Sequence, residues 1–239
     1  MEAVCVVDFE SIKSPNGDKS IVYTATVERV DIYDTGDVVS RTPKTFFNTD
    51  IYTYIDEYGH LYSERDLSHI KDKVWETGAH MKRMGKSVIE LGTLPMIKSI
   101  TRVIWDNGAV WVGHSIDRDL KALYDTDDML NKKESFFKCN PIGNDDICTR
   151  SKAWPQIAKV CTQMILPYRA PNFMDHHKTK CTTSIYTLQN LCKTVYDDPN
   201  YVQEHISTHD VDDLIELIRK AKNMDNTTFH IGTQNAYRL

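Results

Sequence analysis

Residues 3–11 read AVCVVDFES. From Ala3 to Phe9 the run is apolar and rich in valine, broken only by Asp8. That is the pattern of a strand buried on both faces, and it predicts a sheet with helices packed on either side. Ile21 to Tyr33 and Val38 to Phe47 carry Thr, Val, Tyr and Phe around a Thr35-Gly36-Asp37 turn, so two antiparallel strands are expected next. The texture then becomes helical. Ser63 and Asp66 resemble a capping box opening a helix toward Met84. Pro95 opens another through Trp105, with Ile97, Ile100, Val103 and Ile104 on one side and Asn107-Gly108 as its stop.

Further on, Ala109 to Val112 predicts a short strand and Asp117 to Tyr124 a helix behind it. Thr126 to Asn144 is polar and turn-rich and reads as a loop or insertion. Asp146 to Arg150 is expected as a strand, Trp154 to Met164 as a helix, and Leu166 to Lys180 as an irregular segment containing proline. Thr182 or Thr183 would cap a helix holding Ile185, Leu188, Leu191 and Cys192. Strands first, then helices alternating with short strands, indicate an α/β domain with a mixed central β-sheet flanked by α-helices.

A length of 239 residues, 41% hydrophobic and 26% charged, suits one compact domain over 1–239. A formal net charge of -5 excludes a global basic field, so any nucleic acid would have to be met locally. The opening MEAVCVVDFES lacks a basic leader, and no apolar stretch approaches a membrane span. The expectation is a soluble intracellular protein, cytoplasmic or nuclear, without a membrane partner. Its six cysteines lack the dense spacing of a disulfide framework and read as reduced thiols.

Three short stretches concentrate acids. Asp8 and Glu10 lie two apart on the first strand, so they share a face while Phe9 takes the other. Two carboxylates side by side repel unless a cation sits between them. In WVGHSIDRDLKAL, residues 111–123, a strand ends, Gly113 allows a tight turn, and a helix begins with Asp117 and Asp119. In HISTHDVDD, residues 205–213, a helix from Ser207 or Thr208 carries Val211, Leu214, Ile215, Leu217, Ile218 and Ala221 at helical spacing. At about 100° per residue, Asp210 falls inside that apolar sector, whereas Asp212 and Asp213 point to water. Each stretch also has a plain reading: solvated strand-end charges, favourable first-turn charges, or an inward Asp210 met by arginine instead of a metal. His209 reads as surface.

Taken together and in order, VDFES, VGHSIDRDLKAL and HISTHD resemble the three motifs of the DEDDh 3'-5' exonucleases of the RNase H-like superfamily. The second motif leans toward the branch of the interferon-stimulated and ribosomal RNA-processing exonucleases. TTSIYTLQNL resembles the helix that precedes the third motif, and DICTR the short strand between the second and third. The resemblance implies an RNase H-like fold, and it selects Asp8, Glu10, Asp119 and Asp210 as ligands and His205 as the general base. It implies two Mg2+ or Mn2+ ions, with Asp8 bridging them, and 3'-5' hydrolysis of phosphodiester bonds in single-stranded nucleic acid, RNA favoured over DNA. Phe9, His114 and Arg118 would contact the substrate. Lys121, Arg150, Lys152, Trp154 and Tyr168 would line the groove, or be ordinary surface. The chain departs from the family pattern at 52–94 and within 126–180, where insertions are expected. The rival expectation is a catalytically silent nucleic-acid-binding or scaffold module on the same fold. His176, His177, Cys181 and Cys192 have zinc-ligand chemistry, but their spacing matches no standard finger, and zinc is not expected as the cofactor.

Overall fold

A computed structural model of the chain describes residues 1–41, 43–83, 88–106, 110–131, 136, 158–180, 186–226, 229–231 and 237–238. Its strands are β1 (Glu2–Lys13), β2 (Ser20–Ile32), β3 (Val38–Ser40), β4 (Lys44–Asn48), β5 (Val88–Leu91), β6 (Val110–Gly113), β7 (Ala158–Cys161) and β8 (Tyr237–Arg238). They form one sheet in the order β5-β4-β2-β1-β6-β7-β8, with β3 pairing on β2. The sheet is mixed: β1 is antiparallel to β2 and β2 to β4, while β6 runs parallel to β1 and β7 to β6. The helices are α1 (Asp50–Tyr58), α2 (Glu64–Arg83), α3 (Thr93–Asp106), α4 (Ile116–Leu130), α5 (Thr162–Arg169), α6 (Pro171–Lys180), α7 (Leu188–Val195) and α8 (Ser207–Met224).

The alternation along β1 sorts the core into two layers. Val4 and Val6 join Val30, Val110 and Val112 beneath α5 to α8, through residues such as Phe173, Leu191, Leu214 and Leu217. Cys5, Val7 and Phe9 face the opposite way, against Trp111 and the apolar sides of α3 and α4. A third cluster carries Ile12, Ile21 and Tyr23 to α1 and α2. The β1–β2 register shifts between Glu10 and Ser11, a bulge that ends the acidic stretch of the strand.

Several expectations need correction. Val38 to Phe47 is two strands instead of one, β3 and β4. The stretch 52–94 builds most of α1, all of α2 and β5, and β5 extends the sheet parallel to β4. Thr126 to Leu130 belongs to α4 and not to a loop: the Thr126 hydroxyl donates to the Ala122 carbonyl at 2.5 Å and accepts the Val22 N–H at 2.8 Å. The expected helix from Trp154 begins at Thr162, after strand β7. Leu166 to Lys180 is almost wholly helical although Pro167 lies inside α5. Burial of Ile165, Leu166, Phe173 and Met174 holds these turns, and the Asp225 carboxylate caps α6 from afar by accepting the Asn172 and Phe173 N–H groups at 2.9 and 3.0 Å. The Asn107-Gly108 stop, the 146–150 strand and the Thr182/Thr183 cap lie outside the described residues; α7 is capped by Thr187. No helix among the described residues is long and apolar enough to cross a membrane.

Gly113 joins β6 to α4 where space is shortest. A Cβ there would meet Ile116 Cβ at 3.2 Å and the Val7 carbonyl oxygen at 3.3 Å. Backbone cannot yield as a flexible side chain does. Gly113→Ala is therefore expected to cost about 1–3 kcal/mol, read as a fall in thermal midpoint. An unchanged midpoint would mean that α4 lifts freely from β1.

Candidate active site

The site grows out of the pairing of β1 with β2. Asp8 lies opposite Thr26 and Glu10 opposite Thr24, so two carboxylates and two hydroxyls share one patch of sheet. Ser207, fully buried at the start of α8, packs into that patch: its hydroxyl lies 2.8 Å from Thr26 Oγ1 and donates to Thr24 Oγ1 at 3.3 Å. Only a small polar residue lets a helix start so close to a sheet. With α8 anchored there, Asp210 comes down within its first turn, 2% exposed, beside Glu10. Ligand atoms of Glu10, His205 and Asp210 lie within 4.8 Å of one another.

Asp119 reaches the same place from the opposite layer. Because β6 runs parallel to β1, with Val6 opposite Val112, the first turn of α4 begins beside the C-terminal half of β1. The Asp119 carboxylate is held by the Phe9 backbone N–H, between Asp8 and Glu10 in the chain. Asp117 turns the other way, exposed, and pairs with Lys159. Thus the structure brings Asp119 into the cluster and leaves Asp117 outside.

Electrostatics records the crowding. Burial, then the charges of Asp119, Asp210 and Glu10, hold the Asp8 carboxyl well above the usual carboxylate range. Asp119 is raised by burial and Glu10, and Glu10 by burial. Asp210 is pushed up to about 7, first by burial and then by Glu10 and Asp213, although a hydrogen bond from Gln203 Nε2 at 2.8 Å opposes the rise. One ammonium opposes the cluster: Lys73 from α2 donates to Glu10 Oε2 at 3.2 Å. Two carboxylate oxygens, Asp8 Oδ2 and Asp210 Oδ1, are buried without a hydrogen-bond partner among the described residues. Hard oxygen donors left unsatisfied together suit Mg2+ or Mn2+ better than a soft or nitrogen-preferring ion.

His205 stands exposed just before α8 with a left-handed backbone, φ 53°. Burial and then Lys73 hold its imidazole below the usual histidine range, which keeps it neutral and able to accept a proton near pH 7. Asparagine tolerates this backbone region whereas a β-branched residue does not. His205→Asn is therefore expected to unfold within about 0.5 kcal/mol of the parent, and His205→Val to lose about 1–3 kcal/mol. Equal denaturation midpoints for both variants would show that the backbone relaxes.

Other expected residues fall elsewhere. Phe9 packs edge-on against Trp111 in the core, 6.3 Å between ring centroids, so it offers its backbone and not its ring. His114 shares a 3.1 Å hydrogen bond with Thr162, and burial lowers its pKa to about 4, leaving it neutral. Arg118 is exposed beside Asp119, Lys121 pairs with Asp125, and Tyr168 is exposed on α5; Arg150, Lys152 and Trp154 lie outside the described residues. His177 is fully buried, 2.6 Å from Thr194 Oγ1, and Cys192 is fully buried within α7; Cys181 is outside the described residues. Asp213 corrects the sequence reading: it is buried and accepts the hydroxyls of Tyr196, at 2.8 Å, and Tyr201. His209 is also only partly exposed, with Nδ1 2.9 Å from Glu204 Oε2. Lys73 and Gln203 were missed altogether, since a helix lysine and a loop glutamine carry no spacing signal.

No family model matches the chain, and no curated protein matches it.

Proposed function

We propose that this chain is a metal-dependent 3'-5' exonuclease with an RNase H-like fold, hydrolysing phosphodiester bonds at the 3' ends of single-stranded nucleic acid. The observation that carries this reading is the convergence of Asp8, Glu10, Asp119 and Asp210, from three separate elements, around buried carboxylate oxygens that lack partners. A mixed sheet flanked by helices is compatible with that fold. Asp8, Glu10, Asp119 and Asp210 would hold two Mg2+ or Mn2+ ions. When bound, these ions supply charge stabilisation and lower the pKa of the attacking water. Gln203 orients Asp210 from outside, and the Phe9 N–H orients Asp119. His205, neutral and exposed at the mouth of the cluster, takes the proton of the attacking water. Turnover by His205→Asn is expected to fall by about 10²–10⁴-fold, with the fold retained.

One contact favours the alternative of a silent binding module. Lys73 already places a positive charge on Glu10, where a metal would sit. The test is degradation of matched 5'-labelled single-stranded RNA and DNA, with Mg2+, with Mn2+ and with chelator, beside Asp8→Ala/Glu10→Ala. A metal-dependent ladder shortening from the 3' end and absent in the double variant is the expected result, with RNA cut faster than DNA. Retention of the strands without cleavage would instead favour the binding module.

A further inference from the structure

We propose that His80, Glu204 and His209 form a second metal site, selective for Zn2+ or a similar nitrogen-preferring divalent cation, that ties α2 to the segment entering α8. The inference is independent of the exonuclease reading. One ligand atom from each residue lies within 4.8 Å of the others. The three come from two parts of the chain more than a hundred residues apart, which the fold alone brings together. His80 sits in the last turns of α2, Glu204 in the irregular stretch before α8, and His209 in its first turn.

A second observation points to a ligand. His80 Nε2 is buried and meets no hydrogen-bond partner among the described residues. An imidazole nitrogen sealed from water without a partner is a costly arrangement, and metal ligation would satisfy it. The His80 and His209 rings meet edge-on, 85° apart with centroids at 5.4 Å, which keeps a nitrogen of each within reach of one ion. His209 Nδ1 is 2.9 Å from Glu204 Oε2, so imidazole and carboxylate already share one locus. Ligands about 2.0–2.2 Å from Zn2+ lie roughly 3.4 Å apart in a tetrahedron, so closure asks for side-chain rotation of about an ångström. Two histidines and one glutamate fill three positions. His80 and Glu204 also line a cavity of about 800 Å³ with Trp75, Arg83 and His205, from which water would supply the fourth ligand.

The donor set separates this site from the neighbouring carboxylates. Nitrogen ligands favour Zn2+ over Mg2+, whereas Asp8, Glu10, Asp119 and Asp210 offer oxygen alone. The bound ion would hold Glu204, and with it the left-handed turn at His205, against α2.

The test uses the untagged, chelator-treated full chain. Zn2+ is titrated against a chromogenic competitor, and Co2+ is added to read the visible absorption of a nitrogen-ligated ion. One equivalent of Zn2+ is expected, with Co2+ bands, and the affinity should weaken at least about tenfold in each of His80→Gln, His209→Gln and Glu204→Gln. The same signal should persist in Asp8→Asn/Glu10→Gln. Circular dichroism identifies any variant that fails to fold, and Glu204, being exposed, supplies the change least able to disturb packing. Absence of Zn2+ binding overturns the proposal. So does binding that is indifferent to all three changes, lost with the carboxylates, or lost with His176→Ala. Because the Co2+ spectrum needs no turnover, failure of the exonuclease reading would leave this result standing.

Discussion

Asp210→Asn is expected to lower metal-dependent cleavage by more than about 100-fold while raising the thermal midpoint of the metal-free protein. The two effects have one cause. Asp210 is 2% exposed and shares its surroundings with Glu10, so its charge is costly in the absence of a cation and would serve as a ligand in its presence. An amide keeps the shape and still accepts the Gln203 hydrogen bond, but carries no charge. Removal of one buried like charge should stabilise the metal-free fold by about 1–3 kcal/mol. At this chain length that corresponds to about 2–4 °C per kcal/mol. Calorimetry in chelator, beside the labelled-strand assay in Mg2+, checks both halves. An inactive variant that is also less stable would make Asp210 a structural anchor; an active one would remove it from the ligand set.

The metal-free protein should also lose stability as pH rises, and Mg2+ should restore it. A carboxyl near pKa 7 when folded and about 3.9 when unfolded holds an extra proton only in the folded state. Its contribution is therefore complete below about pH 3.9 and is lost as pH climbs through about 7. For Asp210 alone the loss is on the order of 4 kcal/mol, and Asp8, Glu10 and Asp119 are shifted in the same direction. His205 works the other way: its lowered pKa adds stability as pH rises toward the ordinary histidine value. Comparing Mg2+ with chelator at each pH cancels what metal binding does not touch. The gap between the two midpoints should widen from pH 5.5 to pH 8, because metal binds the deprotonated carboxylates. A gap that stays constant, or closes, would place the cation away from these four acids.

The parts of the fold that could be read from the chain are those whose own pattern decides their environment. β1 is apolar on both faces and is buried on both; α8 carries an apolar stripe, and Asp210 lies in it. Elements decided by their neighbours were not legible. β5 has two of its four residues exposed and no alternation, so only its register with β4 makes it a strand. α5 holds Pro167, which argues against helix, and the Asp225 carboxylate that caps α6 lies about fifty residues on. At the site, spacing on strand and helix singled out Asp8, Glu10 and Asp210, whereas Asp119 and His205 were selected by the resemblance of their motifs. Lys73 did not stand out, because it is one of several polar residues flanking the buried stripe of Ile70, Val74, Thr77 and Met81 on α2, and nothing local distinguishes the lysine that turns toward Glu10. Asp213 was misread for a related reason. A helical wheel describes the stripe a helix offers to the core, but not the two tyrosines that fold over its polar side.

The short passage from Tyr201 to Ile206 is fastened at both ends, by the Tyr201 hydroxyl on Asp213 and by Ser207 against Thr24 and Thr26. Between those fastenings, consecutive residues serve three separate addresses: Gln203 meets Asp210, Glu204 meets His209, and His205 meets the acidic cluster. Such a passage has no slack. A single inserted or deleted residue would shift each side chain onto its neighbour's address, so in any descendant of this chain its length should stay constant while the composition of the flanking surface drifts.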